Sequence, residues 1–428
     1  MPILYLKQFI YNILKGGNKE LFFIALLTFL VRIITAFFTD GLFHPQTFEY
    51  EQLANNILKG KGYMAELDGT IYFSMMYPFY PYFNAVIYFI TNHSQSAIIF
   101  AQILISCFSS IMLVLIGRRL IKPPGSLISG LIASFHPALI VYSSNKIHEI
   151  NLVILFILCN IYFIFLILKN FSYWKVFWIS PLFVASIFTR VTLIFFPFLL
   201  IILLPGKIQR KINTFFLLGL FCFSFVLMWN YRNYKIHGKF VFSTMNAYNL
   251  YMGNNTDATG TEFSKSNQSI RAVIQQKNKL LRNLDESQQY DYFKYHAIEF
   301  IKENPSRFIR LTFARLYYFW WFSPHTGLEY PTYYFTVYKI FYIYILLAAM
   351  IGIYDPYLYK TEDQRIMLLI ILIALLVICS VQSLVYVHYR HRASIELLIT
   401  LFAANGINRL LIWVKGFLIG RKGIYAKL

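Results

Sequence analysis

Residues 43–63 read FHPQTFEYEQLANNILKGKGY. Apolar runs flank the stretch on both sides, yet its own pattern is that of a short helix rather than a linker. Tyr50, Leu53, Ala54, Ile57 and Leu58 fall at i, i+3, i+4, i+7 and i+8, the spacing of one helix face. Glu49, Gln52 and Asn56 lie on the opposing side, Glu51 flanks the apolar stripe, and Gly60 and Gly62 stop the helix. Such a helix lies on a surface with a carboxylate facing water. This reading decides the topology, because it sets the stretch outside the membrane between two apolar segments.

The rest of the chain is too apolar for a soluble fold. Of 428 residues, 58% are hydrophobic, 19% aromatic and only 14% charged, and the mean hydropathy is +0.54. Repeated apolar runs of about 18–22 residues are long enough to cross a hydrocarbon core of ~30 Å. The expected fold class is therefore an all-α polytopic membrane protein. The net charge of +20 comes from Lys and Arg in short loops beside those runs, which is the positive-inside pattern, so nucleic acid is not the expected partner. Cys107, Cys159, Cys222 and Cys379 all fall inside apolar runs without a CxxC or Cys/His spacing, which supports neither a zinc site nor a loop disulfide. The run from Phe22 to Phe38 contains Arg32 and no small-residue cleavage site follows it, so it does not read as a signal peptide.

The basic loops set an orientation. Lys7, Lys15 and Lys19 precede the first run, and RRLIK (118–122), PGKIQRK (205–211), KTEDQR (360–365) and the tail with Lys415, Arg421, Lys422 and Lys427 are also expected to be cytoplasmic. The run 78–91 is short and carries Pro78, Pro81 and Asn84, so it is expected as a juxtamembrane or re-entrant helix and the whole of 39–96 as external. The run 177–204 is expected as a tight pair of short spans turning near Thr189 and Arg190. Residues 311–323 are expected as an aromatic helix at the outer interface. The bookkeeping gives about ten spans. It also gives a division into an N-terminal membrane module (1–230), an external and mostly helical segment (231–310) and a C-terminal membrane module (311–428).

With that topology the unusual polar groups gather on the external face. Arg32 lies in the outer half of the first span, Arg190 at a tight turn, Arg232 after the seventh span, and Arg390 and Arg392 at the mouth of two others. Each arginine alone reads equally as a snorkelling anchor, and each glutamate as a solvated carboxylate. Several guanidinium groups on one face suit a phosphate or pyrophosphate. His136 beside Pro137 reads as a core histidine and RLYYFWW (315–321) as an interface belt. GNNTDATGT (253–261) is turn chemistry, and NNT and NQS match the glycosylation acceptor pattern.

The order of these pieces resembles the GT-C superfamily of membrane glycosyltransferases, among them the bacterial enzymes grouped with protein O-mannosyltransferases and the aminoarabinose transferase of lipid A. The Arg32 span, EYEQLANNILKGKGY and YFSMMYPFYPYF (72–83) are similar to that family's first span and external loop. LIGRRL, ASFHPALIVYSSNKIHE with Glu149, and IFTRVTLIFFP with Arg190 are similar to its middle spans. WNYRNYKIHGKFVFSTMNAYNLYMGNN (229–255) is the most specific match, ending in a Leu-x-x-Gly-Asn-Asn turn, and ENPSRF and YRHRASIE (389–396) complete the series. The resemblance implies a GT-C-like bundle of about 10–12 transmembrane helices with juxtamembrane helices on the outer face. Two departures stand out. The family's usual Asp is Gln46 here, which cannot take a proton, and its Arg/Pro-rich YRPPGYP block is altered to YFSMMYP.

The resemblance implies transfer of a sugar from a polyprenyl-phosphate donor to an acceptor on the external side. Deprotonation of the acceptor hydroxyl falls to a carboxylate, Glu49 first and Glu51 second. Arg190, Arg390 and Arg392, assisted by Arg232, are expected to hold the donor phosphate, and Glu149, Tyr50 and Asn230 to orient substrate. No cofactor is required, though a divalent cation is left open. The expected partners are the lipid-linked donor, membrane lipids and a protein, lipid or glycan acceptor. The expected location is a bacterial plasma (inner) membrane with both termini cytoplasmic. A lipid-linked sugar flippase and an inactive GT-C relative are the alternatives.

Overall fold

The computed structural model describes residues 19–67, 69–277, 281, 283–323 and 332–425. Lys7, Lys15 and Lys427, on which part of the orientation rested, lie outside the described residues. The chain is helical almost throughout, and the strands among the described residues form one two-stranded hairpin, Ala65–Leu67 with Thr70–Tyr72.

Among the described residues seven helices are long and apolar enough to cross a membrane. They are α1 (Lys19–Phe38), α4 (Gln95–Leu120), α7 (Ile150–Lys169), α10 (Ile208–His237), α15 (Thr332–Ile353), α16 (Glu362–Val385) and α18 (Glu396–Tyr425, through Lys415). The pair α5 (Gly125–Ser134) and α6 (Pro137–Ser144), bent by 50°, makes an eighth. The expected tight pair is present as α8 (Tyr173–Thr189) and a second helix, Val191–Leu203, whose last turns are α9 (Phe195–Leu203), meeting at Arg190. These two fall short of the length that marks a span, so the ten expected spans are reached only by counting them. The upper end of the expected range is not reached among the described residues. The surface helix α2 (Glu49–Leu58) buries Tyr50, Leu53 and Ala54 as its pattern predicts, and Gly60 and Gly62 follow it with φ of +72° and +82°. The helix α3 (Phe79–Thr91) has 13 residues, about 20 Å at ~1.5 Å per residue, too short to span.

The bend between α5 and α6 explains the intramembrane arginine. Pro137 supplies no amide proton and disfavours helical backbone at His136, so the carbonyls ending α5 lose their partners. Arg32 reaches them from α1, donating to Ser134 O at 3.0 Å and Ala133 O at 3.1 Å. A cation at a helix C-terminus also meets the negative end of the helix dipole. Arg32 is fully buried and belongs to this joint, not to an external anion site, which corrects its grouping with the other arginines.

The C-terminal pair α15 and α18 crosses through glycine. A Cβ on Gly352 would lie 1.8 Å from Phe402 O, and one on Gly406 would lie 2.0 Å from Ala348 O. Close approach of this kind is how membrane helices associate where no hydrophobic drive separates helix from lipid.

The two ends of the bundle differ. At one end the basic loops are knitted together: Arg118 pairs with Glu20 at 2.9 Å, Lys169 with Asp363, Lys122 lies over the Tyr357 ring, and Arg210 lies over Phe171. At the other end Gln46 and Lys146 form a parallel bridge, Gln46 N donating to Asn145 O at 2.8 Å and Ile147 N to Gln46 O at 2.9 Å. This zips the first loop onto the loop before α7. The helices α11 (Met245–Gly253), α12 (Ile270–Lys277), α13 (Glu286–Glu303) and α14 (Pro305–Trp320) cover the same end.

Candidate active site

A cavity of about 540 Å³ opens at the end opposite the basic loops. Glu49 and Tyr50 from α2, His148 and Glu149 from the loop before α7, and Arg190 and Thr192 from the α8–α9 turn line one side. α11, Glu262 and α13 line the other, and His388 closes it together with Arg390 and His391 of the short helix α17 (Tyr389–Ala393). The bridge between Gln46 and Lys146 is what brings the first two groups together. Gln46 spends its backbone on that bridge, its side chain is exposed, and it does not line the cavity. Three residues on, Glu49 does.

Five of the nine expected site residues share this cavity: Glu49, Tyr50, Glu149, Arg190 and Arg390. Arg190 Nη2 donates to Glu149 Oε1 at 2.9 Å, with both side chains about nine-tenths buried. The Arg390 guanidinium makes no hydrogen bond or ion pair with any described residue. It stays charged against burial with support from Tyr386, Tyr142, Tyr50 and Glu149. A cation in that condition wants an anion from outside the chain.

The other four lie elsewhere, for local reasons. Arg392 is held by Glu396 Oε1 at 2.6 Å and Tyr338 OH at 2.9 Å, with its guanidinium 4.0 Å from the Tyr342 ring centroid. His136 Nε2 meets the same carboxylate at 2.8 Å, so this core histidine is part of a buried ion cluster. Glu51 accepts from Gln95 Nε2 at 2.5 Å and Tyr88 OH at 3.2 Å, fastening α2 to α3 and α4. Arg232 donates to Phe73 O and Tyr63 O and stacks on Tyr63 and Trp229, supporting the first loop from behind. Asn230 bonds back to Val226 O at 2.9 Å along its own helix. None of these four lines the cavity.

Three groups were missed from sequence. Glu262 accepts from His388 Nε2 at 2.8 Å, and although burial pushes its carboxyl up, His388 and Arg390 bring it below the ordinary carboxylate value. Glu286 takes the amides of Phe73 and Ser74 at 2.5 and 3.0 Å and the Thr244 hydroxyl at 2.6 Å, clamping the altered YFSMMYP block to α13. His148 is only 3% exposed, and burial first, then Arg390 and Arg190, holds its imidazole well below the usual range, so it is neutral. Only the adjacency of His148 to Glu149 hinted at it; the other two are brought in by tertiary contacts between distant loops.

Gly253, within the Leu-x-x-Gly-Asn-Asn turn, ends α11 at a point where a Cβ would lie 1.8 Å from Val385 O. Arg315 spans the same contact, donating to Gly253 O at 2.5 Å and Ser383 O at 2.5 Å. This joint fixes the end of α16 from which residues 386–392 depart, and with them Arg390. Arg315, expected in a lipid-interface belt, is instead buried there.

Residues 77–229 match the family model described as dolichyl-phosphate-mannose-protein mannosyltransferase. No curated protein matches the chain. Among solved structures, the oligosaccharyltransferase AglB from Archaeoglobus fulgidus, in complex with an inhibitory peptide and a dolichol-phosphate, is similar at a TM-score of 0.50 and 11% identity, over 96% of this chain and 52% of AglB. The chain thus spans about half the length of AglB. ArnT from Cupriavidus metallidurans, bound to undecaprenyl phosphate, gives a TM-score of 0.42 at 10% identity over 92% of this chain and 79% of ArnT. The family match and the bundle agree: the chain is a multi-pass membrane protein whose fold is similar to that of AglB and which matches the mannosyltransferase family model over 77–229.

Proposed function

We propose that the protein transfers a sugar from a polyprenyl-phosphate donor to an acceptor hydroxyl at the external face of a bacterial plasma membrane. The observation that carries the reading is Arg390, a cation without a partner among the described residues, in one cavity with Glu49 and the Arg190–Glu149 pair. A guanidinium there suits a phosphate oxygen. AglB, of like fold, was solved with a dolichol-phosphate, and the family model over 77–229 is named for a lipid-phosphate sugar donor.

In the scheme, Glu49 takes the proton of the acceptor hydroxyl as its oxygen attacks the anomeric carbon. The bond from that carbon to the phosphate oxygen breaks, and polyprenyl phosphate leaves with the charge stabilised by Arg390 and Arg190. A single displacement inverts the anomeric centre. Glu149 keeps Arg190 aimed, and no step runs through a metal.

The test is transfer from a radiolabelled polyprenyl-phosphate sugar. Glu49→Gln is expected to lower turnover ~10²–10⁴-fold, the range for loss of a general base. Glu51→Gln should keep turnover close to wild type and lower thermal stability, since Glu51 fastens helices. Full turnover in Glu49→Gln sinks the assignment.

A further inference from the structure

Two buried histidines of the cavity have a ring nitrogen to spare: His391, whose Nδ1 accepts the His388 amide at 3.2 Å, and His148, beside Glu149. The His148 Nδ1 accepts the Ile150 amide at 3.2 Å, so the single proton of the neutral ring sits on Nε2. That Nε2 has no protein partner among the described residues. By contrast, His388 spends Nδ1 on the Arg390 amide and Nε2 on Glu262. The His148 ring is also fixed in place. It meets Phe48, Tyr50 and Tyr142 edge-on at centroid distances of 5.4, 5.8 and 5.4 Å, and its own backbone amide donates to Gln102 Oε1 at 3.1 Å.

We propose that His148 is a further ligand-binding residue of this cavity, donating its Nε2–H to an oxygen of the same phosphate that Arg190 and Arg390 hold. This rests on the reading that the cavity takes a polyprenyl phosphate. The cations that bear on the imidazole are Arg390, Arg190 and Lys146. Among these cations a neutral donor adds a directed hydrogen bond without a further positive charge to repel them. It also leaves His148 unable to compete with Glu49 for the acceptor proton, because its only basic lone pair is occupied by the Ile150 amide. The imidazole binds and orients, and a carboxylate does the proton transfer.

The test uses the full chain in nanodiscs with undecaprenyl phosphate as the probe, comparing wild type, Arg390→Gln, His148→Asn and His148→Gln. Asn retains an acceptor where Nδ1 sits and removes the distal donor; Gln extends an N–H donor toward the Nε2 position and gives up the acceptor. Binding through Nε2 is expected to weaken affinity ~10-fold in His148→Asn and much less in His148→Gln. If the side chain serves only the fold, the order reverses, with His148→Asn benign and His148→Gln damaging; that order overturns the proposal. Equal affinity in wild type and both variants overturns it too, while loss in Arg390→Gln still upholds the cavity's reading. Failure of wild-type protein to bind the probe overturns both. Should His148→Asn not fold, a wild-type-like affinity in His148→Ala settles against the donor role, and a ~10-fold loss supports it.

Discussion

Arg390 and Arg392 are two residues apart and face different surroundings. In a helix, positions i and i+2 point roughly 200° apart at ~100° per residue, so both cannot face one cavity. Arg390 takes the cavity and Arg392 turns into the bundle toward Glu396 and Tyr338. Glu49 and Glu51 repeat the arithmetic on α2, one toward the cavity and one onto α3 and α4. Residue type and the end of the bundle were legible in the sequence; which member of each pair faces the site is set by a helix phase that only packing fixes. A consequence can be measured. Arg392→Met leaves Glu396 charged and buried and should destabilise by about 3–5 kcal/mol. Arg392→Met with Glu396→Leu removes both charges and should recover more than half of that loss in thermal unfolding, with donor affinity unchanged. A stable double variant that no longer binds donor would return Arg392 to the phosphate site.

At the scale of elements, breaks in helices do most of the positioning. The α5–α6 bend is capped by Arg32, the α8–α9 break presents Arg190, and the end of α16 presents the 386–392 stretch. The break near Thr189 and Arg190 was visible in advance from the length of the run 177–204, but the α5–α6 bend at Pro137 was not, nor was what fills either break. The loop carrying Glu262 was read as turn chemistry, and its hold on His388 depends on a residue more than a hundred positions away. That contact has a pH signature. The folded state holds the Glu262 carboxyl below its ordinary value, so the charged form favours folding. Its contribution is complete above the unfolded carboxylate value of ~4.3 and is lost as pH falls through the lower folded value. Amide protection factors around Glu262, that is exchange corrected for the intrinsic rate at each pH, should therefore stay constant from neutral pH to about 5 and fall below about 4. In Glu262→Gln protection should be lower throughout and lack that step; the same step persisting in the variant would assign it to another carboxylate.

For the whole molecule, the decisive feature is that the bundle has two chemically different ends. Loops far apart in sequence meet at the basic end through Arg118–Glu20, Lys169–Asp363 and Arg210 over Phe171. The cavity lies at the other end, beside the Gln46–Lys146 bridge. Counting basic residues in short loops separated these ends before any contact was known, because that signal is additive along the chain. The covering segment 231–310 was legible only as polar and helical, since its docking depends on single contacts such as Glu286 with the amides of Phe73 and Ser74. The positive-inside rule then assigns the basic end to the cytoplasm, and labelling can check it. All four native cysteines lie in apolar runs and none is exposed, so a cysteine-free background should keep the bundle. In that background Gln46→Cys, at an exposed position beside the cavity, should react with a membrane-impermeant maleimide on intact cells. Lys360→Cys, in an exposed loop at the basic end, should react only after permeabilisation. The opposite pattern would turn the cavity toward the cytoplasm, where a donor carried in the outer leaflet has no access to Arg390 and Glu49.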